Sequence, residues 1–340
     1  MTTQFHPPDI SVLKDKVVVL TGGALGVGAA VVRLLHSAGA HVFFGDVLDA
    51  AGRALADELT ESNTNTDNPS PSPPHTSTSP PKPKVVFIHT DVTNYQENLA
   101  LFQKAHETCG RIDHAIANAG LGEQGKPSFF DAGLSLEDVA EEPVGAMRCL
   151  DVNLKGALYC ARIASVYLRQ GPVDRDGVFR GEGGEDGEDG GGGECGGEGG
   201  GGEQKGDRSL TLVSSVAGFR EDPGPLINTG IRTNAICPWM TRTRLTTNIA
   251  PTWAAAGLPS NTPDDVAAVI AGVLASPKIN GGALYVEGGR AWNVEEGILA
   301  TRKLWLGAGE EGERLEEDLE RGTRLIGGGE HWVENGSSQV

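Results

Sequence analysis

The sequence predicts an α/β domain built on a doubly wound parallel sheet. Three observations predict it. Short β-branched apolar runs alternate with helical patterns, as in strands buried on both faces and linked by crossover helices. A glycine-rich turn joins the first strand to the first helix, and an aspartate ends the second strand.

The elements follow in order. "KVVVLTGG" (Lys16–Gly23) is an apolar run ending in glycines, and "AAVVRLLHSAG" (Ala29–Gly39) has helical spacing and a glycine stop. "AHVFFGD" (Ala40–Asp46) reads as the second strand and "AAGRALADEL" (Ala50–Leu59) as the second helix. "VVFIHTD" (Val85–Asp91) is a third strand, followed by a helix over Gln96–Thr108. "HAIANAG" (His114–Gly120) is a fourth strand. Residues 150–168 place Leu150, Leu154, Leu158, Ala161, Ser165 and Leu168 on one helical stripe. "SLTLVSS" (Ser209–Ser215) and "TNAIC" (Thr233–Cys237) are the fifth and sixth strands. "TPDDVAAVIAGVLASP" (Thr262–Pro277) opens with an N-cap Thr, a Pro at the first helical position and an acid three residues after the cap. "ALYVEGG" (Ala283–Gly289) closes the sheet.

Two segments interrupt this alternation. Residues 62–84 are Ser, Thr, Asn or Pro at 19 of 23 positions, and residues 181–202 are Gly at 14 of 22. Neither has an apolar face whose burial would offset ordering, so both read as disordered loop inserts, the second spanning 171–208 overall. The formal net charge of -18 is concentrated. Residues 171–208 hold 11 acidic and 4 basic side chains, and the 307–340 tail holds 9 and 3. No basic patch attracts nucleic acid. No apolar run is long enough for a membrane span, and the first twenty residues lack a secretory signal. The five cysteines form no CxxC pair. They read as reduced thiols in a cytoplasmic protein with no metal site.

The chemistry lies at strand ends. "LTGGALGVGAA" (Leu20–Ala30) lets the chain turn tightly and brings backbone N–H groups towards a pyrophosphate at a helix N-terminus. Asp46 lies where a carboxylate accepts hydrogen bonds from a ribose diol and opposes a 2′-phosphate, which favours NAD over NADP. Capping of the next turn is the plainer role for that carboxylate.

With these residues in place, the chain resembles the short-chain dehydrogenase/reductase family over about residues 12–306. TGxxxGxG at Thr21–Gly28, "DVT" at Asp91–Thr93, "NAG" at Asn118–Gly120, "VNLKG" at Val152–Gly156 and "SSVAG" at Ser214–Gly218 occur in that family's order. "RTNAICPWMTRT" (Arg232–Thr243) and "GGALYVEGG" (Gly281–Gly289) are similar to its last strands. The wording "NTGIRTNAIC" resembles the NAD-linked 15-hydroxyprostaglandin dehydrogenase-like branch and fungal biosynthetic enzymes close to it. The resemblance implies a single Rossmann-type domain and an oxidoreductase that interconverts a secondary alcohol and a ketone with NAD or NADP. It implies a homo-oligomer, while Trp239, Met240 and the tail around Trp305 suggest an apolar pocket for a small polycyclic or lipid-like alcohol. Thr21, Gly22, Leu25, Gly26, Val27 and Gly28 would line the pyrophosphate, Asp46 the adenosine ribose, and Asp91 with Val92 the adenine. Asn118, Ala119 and Gly120 would lie along the cofactor. Asn153 would hold a proton-relay water and Ser215 would polarise the substrate oxygen. Thr241 and Thr243 would grip the nicotinamide half, although Trp239 stands where the family has glycine.

One part of the pattern is missing. The family supplies its general acid/base from Tyr in a YxxxK helix, whose Lys lowers the Tyr pKa. Four positions beyond Tyr95, Tyr159, Tyr167 and Tyr285 stand Leu99, Ile163, Gly171 and Gly289. Asn228 occupies the place of the Tyr, and the 215–233 stretch carries Pro223, Pro225, Gly218, Gly224 and Gly230 with no helical run. A crossover helix is therefore expected to be absent. The alternatives to an impaired enzyme are a catalytically dead nucleotide-binding scaffold and a chain whose coding sequence lost this block in frame.

Overall fold

The computed structural model describes residues 4–62, 83–122, 135–170, 207–214 and 231–295, with single residues 297, 301 and 314. Most of both inserts, the 215–230 connection and nearly all of the C-terminal tail lie outside the described residues. So do Ser215 and the segment where a crossover helix is expected to be missing.

The described residues build one sheet of nine strands. In chain order these are β1 (Gln4–Phe5), β2 (Val17–Thr21), β3 (His41–Asp46), β4 (Val85–His89), β5 (His114–Ala117), β6 (Ser209–Val213), β7 (Arg232–Pro238), β8 (Ala283–Glu287) and β9 (Arg290–Asn293). Spatially they run β1-β9-β8-β7-β6-β5-β2-β3-β4. All neighbours from β4 across to β8 are parallel, whereas β9 pairs antiparallel with both β8 and β1. The strand order reverses between β2 and β5, the topological switch point where open α/β sheets place ligands.

The helices are α1 (Gly26–Ser37), α2 (Asp49–Ser62), α3 (Tyr95–Cys109), α4 (Val144–Leu150), α5 (Ala157–Tyr167), α6 (Ala250–Ala255) and α7 (Pro263–Leu274). α1 packs with α7 on one face of the sheet and α3 with α5 on the other. The central strand β2 shows why its sequence is continuously apolar. Val18 and Leu20 join the α1/α7 core, while Val17 and Val19 join the α3/α5 core, so neither face meets water. Thr262 and Asp265 form the reciprocal N-terminal cap of α7 that their spacing predicts.

Three features differ from the sequence expectations. The sheet continues past Gly289 into β9 and the N-terminal β1, both too short to show a periodic pattern. The long helix is interrupted by a π-helical segment, Asp151–Gly156, between α4 and α5. The helical stripe itself is buried at one end and open at the other. Leu168 is buried with Cys160, Ile163 and Ala164, whereas Leu154 and Leu158 remain 56% and 59% exposed and Leu150 is exposed too. The cysteine expectation is corrected at one position. Cys109 is disulfide-bonded, because lack of a CxxC pair says nothing about pairing across long sequence separations. Cys149, Cys160 and Cys237 carry reduced thiols, and burial pushes that of Cys160 up to about 12.

At the amino edge, Arg232 ties three elements together. Its guanidinium pairs with both Asp207 carboxylate oxygens at 2.6 and 2.7 Å and donates to the carbonyls of Val273, Leu274 and Ile279. It thereby satisfies orphan carbonyls at the end of α7 and fixes the start of β7 against β6.

Candidate active site

The glycine-rich turn between β2 and α1 lies at the carboxyl edge of the sheet. Gly22 and Gly26 adopt left-handed φ angles of 72° and 58°, the region open to glycine. A Cβ on Gly22 would lie 2.6 Å from the Ala119 Cα, and one on Gly28 would run into the Gly22 carbonyl. The turn therefore closes against the loop after β5 only because these side chains are absent. Asn118 locks that closure. Its side-chain amide donates to the carbonyls of Gly22 (2.8 Å) and Thr21 (3.2 Å), while its own N–H reaches the Thr21 hydroxyl.

α1 begins at this point without a side-chain cap. Leu25 occupies the N-cap position, and no acidic residue lies in the first turn. By contrast, Asn94 caps α3 and Thr262 caps α7. The first-turn amides of α1 thus face the switch point with their partial positive charge uncompensated by a side chain, the arrangement that suits a pyrophosphate.

Asp46 ends β3 beside this turn. One carboxylate oxygen accepts from the Ala24 N–H and the other from the Leu48 N–H, both at 3.0 Å. The group caps the next turn and braces the glycine loop. An ionised carboxylate has about four lone-pair sites, so capacity remains for a ribose diol. Asp91 accepts from both the N–H and the hydroxyl of Thr93. Val92 is buried against Gly156, where a Cβ would approach its Cγ2 to 2.7 Å.

Asn153 lies in the π-helical segment and is tied to the loop after β5. Its amide oxygen accepts from the Leu121 N–H and its amide nitrogen donates to the Leu121 carbonyl, both at 2.9 Å. Gly120 lies next to it, since a Cβ there would sit 3.5 Å from the Asn153 Oδ1. The loop after β7 completes the edge. The Thr241 hydroxyl donates to the Trp239 carbonyl at 2.9 Å, and the Thr243 methyl would be 3.5 Å from a Cβ on Gly26. The structure thus brings Thr21, Gly22, Gly26, Gly28, Asn118, Ala119, Gly120, Asn153 and Thr243 to one rim, with Leu25 and Val27 at the head of α1. Asp46, Asp91 and Val92 lie at the β3 and β4 ends.

Two groups at this edge escaped the sequence reading. His89 ends β4 in register with Asp46 and pairs with Asp49 at 2.8 Å, which raises its pKa above the usual histidine value. Glu97 accepts the Asp91 N–H at 2.7 Å. The only available signal was their closeness to Asp91 in sequence.

The comparisons agree with this geometry. Residues 74–174 match the family model described as short chain dehydrogenase. The chain is 36% identical over 162 residues to the short-chain dehydrogenase/reductase ascJ of Acremonium egyptiacum, covering 48% of this chain and 45% of that protein. It is 29% identical over 305 residues to 3beta-hydroxysteroid dehydrogenase 2 of Eggerthella lenta, covering 85% of this chain and 98% of the other. A short chain dehydrogenase from Burkholderia cenocepacia, solved in complex with NADP, superposes with a TM-score of 0.55 at 19% identity over 82% of this chain and 98% of that one. Over these matched stretches the chain is similar to short-chain dehydrogenases/reductases, and it shares their fold. The match to ascJ and to several other relatives spans about half of their length. The glycine turn, the loop after β5 and Asn153 lie in mutual contact. Among the described residues, no helix is long and apolar enough to cross a membrane.

Proposed function

We propose that this chain binds NAD(H) at the β2/β5 switch point and belongs to an oxidoreductase acting on a cyclic or otherwise apolar secondary alcohol or ketone. The single observation that carries the reading is the uncapped N-terminus of α1, flanked by the Asp46 carboxylate and the Asn118 amide. Thr21, Gly22, Leu25, Gly26, Val27 and Gly28 would hold the pyrophosphate and Asp46 the ribose, with Asp91 and Val92 at the adenine. Asn118, Ala119, Gly120, Thr241 and Thr243 would hold the remainder. When bound, the nicotinamide supplies the hydride acceptor or donor. Relatives named for cyclic compounds, (+)-borneol dehydrogenase 1 of Salvia officinalis and tropinone reductase-like 2 of Erythroxylum coca, support the substrate class. Asp46 supports NAD over NADP. The proposal includes a soluble cytoplasmic protein and a homo-oligomer.

Turnover by this chain is a separate matter. Ser215 and Asn153 supply a hydroxyl and a structured amide, but the sequence offers no Tyr with a Lys four positions on. Loss of acid–base catalysis alone lowers rates by roughly 10²–10⁴. That absence favours a second reading, in which the chain holds the dinucleotide without catalysis. NADH titration followed by a secondary-alcohol panel separates the two. Binding with measurable oxidation supports the enzyme, and binding without it supports the scaffold. Failure to bind NADH overturns both. Insertion of a YxxxK helix from a relative between Ile227 and Asn228 is expected to raise oxidation of at least one alcohol.

A further inference from the structure

Trp239 and Trp253 lie at the carboxyl edge yet belong to none of the buried core clusters. Their rings meet edge to face, with centroids 5.5 Å apart and planes at 69°. Both are fixed from behind. The Trp239 N–H donates to the Val286 carbonyl at 2.9 Å, and the Trp253 indole N–H donates to the Pro259 carbonyl at 2.7 Å. Asn261, fully buried, holds the base of the loop by accepting the Gly289 N–H and donating to Val286. Its own N–H reaches the Met240 carbonyl at 2.7 Å. Trp239 nevertheless keeps 38% of its surface exposed, and Leu245 and Ile249 of the same loop are exposed too. Leu245 reaches across to the β5 loop, where a Cβ on Gly122 would meet it at 2.8 Å.

The loop that carries Trp239 leaves β7, whose neighbour on one side is β6. The Ser214 N–H donates to the Ile236 carbonyl, three residues before Trp239. A rigid, half-exposed indole at a ligand-binding edge presents a flat apolar face at low entropy cost. A fused alicyclic ring matches that face without freezing rotors, whereas an open chain of equal carbon number must order each torsion.

We propose that Trp239, supported by Trp253, forms one wall of the substrate subsite and selects rigid fused-ring ketones and alcohols over linear ones. This rests on the oxidoreductase assignment, so the test reads ketone binding and cofactor binding separately. The full chain is titrated with NADH by nicotinamide fluorescence, and then, with NADH present, with 2-decalone and 2-decanone by saturation-transfer NMR. Tighter binding of 2-decalone is expected. Trp239→Gly should weaken 2-decalone about tenfold, leave 2-decanone within about twofold, and keep NADH affinity. Trp239→Phe, which retains a ring, should keep most of the preference, and Trp253→Leu should lose part of it. If Trp239→Gly does not fold, these two variants decide the matter in the same way. Equal affinities for the two ketones, or a preference untouched by the Trp239 and Trp253 changes, would overturn the subsite. Absence of NADH binding in the unmodified chain would instead remove the assignment beneath it.

Discussion

Replacement of Asp46 by Asn separates its two roles. In the native chain the carboxylate accepts two backbone N–H groups, from Ala24 and Leu48. The amide keeps one acceptor oxygen and turns an NH₂ towards the other donor, so one bond is lost and the glycine loop loosens. That costs about 1 kcal/mol of local stability. The larger effect is electrostatic. Two unit charges 4 Å apart interact with about 4 kcal/mol at an effective dielectric of 20. Partial exposure of Asp46 and salt reduce the repulsion of a 2′-phosphate to about 1–2 kcal/mol, a factor of roughly 5–30 in affinity. The native chain should therefore bind NADH more tightly than NADPH by that factor. Asp46→Asn should strengthen NADPH, weaken NADH a few-fold and nearly abolish the discrimination. Energy transfer from tryptophan to the reduced nicotinamide, titrated at low and high salt, measures all four affinities. The NADPH penalty should shrink as salt rises. Equal affinities in the native chain, or a variant that shifts both cofactors by the same factor, would refute a ribose-facing Asp46.

Three further outcomes are expected. Gly28→Ala drives a methyl group into the Gly22 carbonyl and to 2.8 Å from the Asn118 amide nitrogen, so it should lower both stability, by about 1–3 kcal/mol, and NADH affinity in parallel urea and cofactor titrations. His114 is fully buried, accepts or donates at Ser209 at 2.8 Å, and titrates near about 4 because burial disfavours its charged form. Its unfolded form binds a proton below about 6.5, so its contribution of about 3 kcal/mol is intact above that pH and lost as pH falls towards 4. Urea midpoints should therefore fall less steeply between pH 6.5 and 4 in His114→Gln. Arg232→Met leaves Asp207 and three carbonyls without their donor. With Asp207 partly solvated, the loss should be about 3 kcal/mol, lowering the melting temperature by roughly 6–12 °C.

What was legible in the sequence had a dense local signal. β2 was legible because burial on both faces makes every residue apolar, and α7 because Thr262, Pro263 and Asp265 each satisfy a different requirement of a helix start. The place of Asp46 at the end of β3 was legible too, and there it caps the next turn. β1 and β9 were not legible, since strands of two and four residues carry too few side chains for alternation to register. The π-helical segment was hidden for another reason. One extra residue in a turn changes no composition, so residues 151–156 read in the sequence as ordinary helix. The pairing of Trp239 with Trp253 depends on β7 and α6 meeting in space, which no local pattern encodes.

The proposed dinucleotide site and the Tyr-Lys pair that the sequence does not offer are physically separable. Among the described residues, the contacts that close the glycine turn run among β2, β3, β5 and their loops: Gly28 under the Gly22 carbonyl, Asn118 on Thr21 and Gly22, Asp46 on Ala24. None of these passes through the connection between β6 and β7. That pair is anchored independently, at its amino end by Arg232 with Asp207 and the end of α7, and beyond its carboxyl end by Asn261. Parallel neighbours still require a crossover of about a dozen residues or more, and 215–230 meets that length. It carries no Tyr, no Lys and no helical pattern. On the proposed reading, NADH affinity should therefore be nearly independent of whether a YxxxK helix is restored. A graft that raised turnover only by raising NADH affinity would contradict this separation.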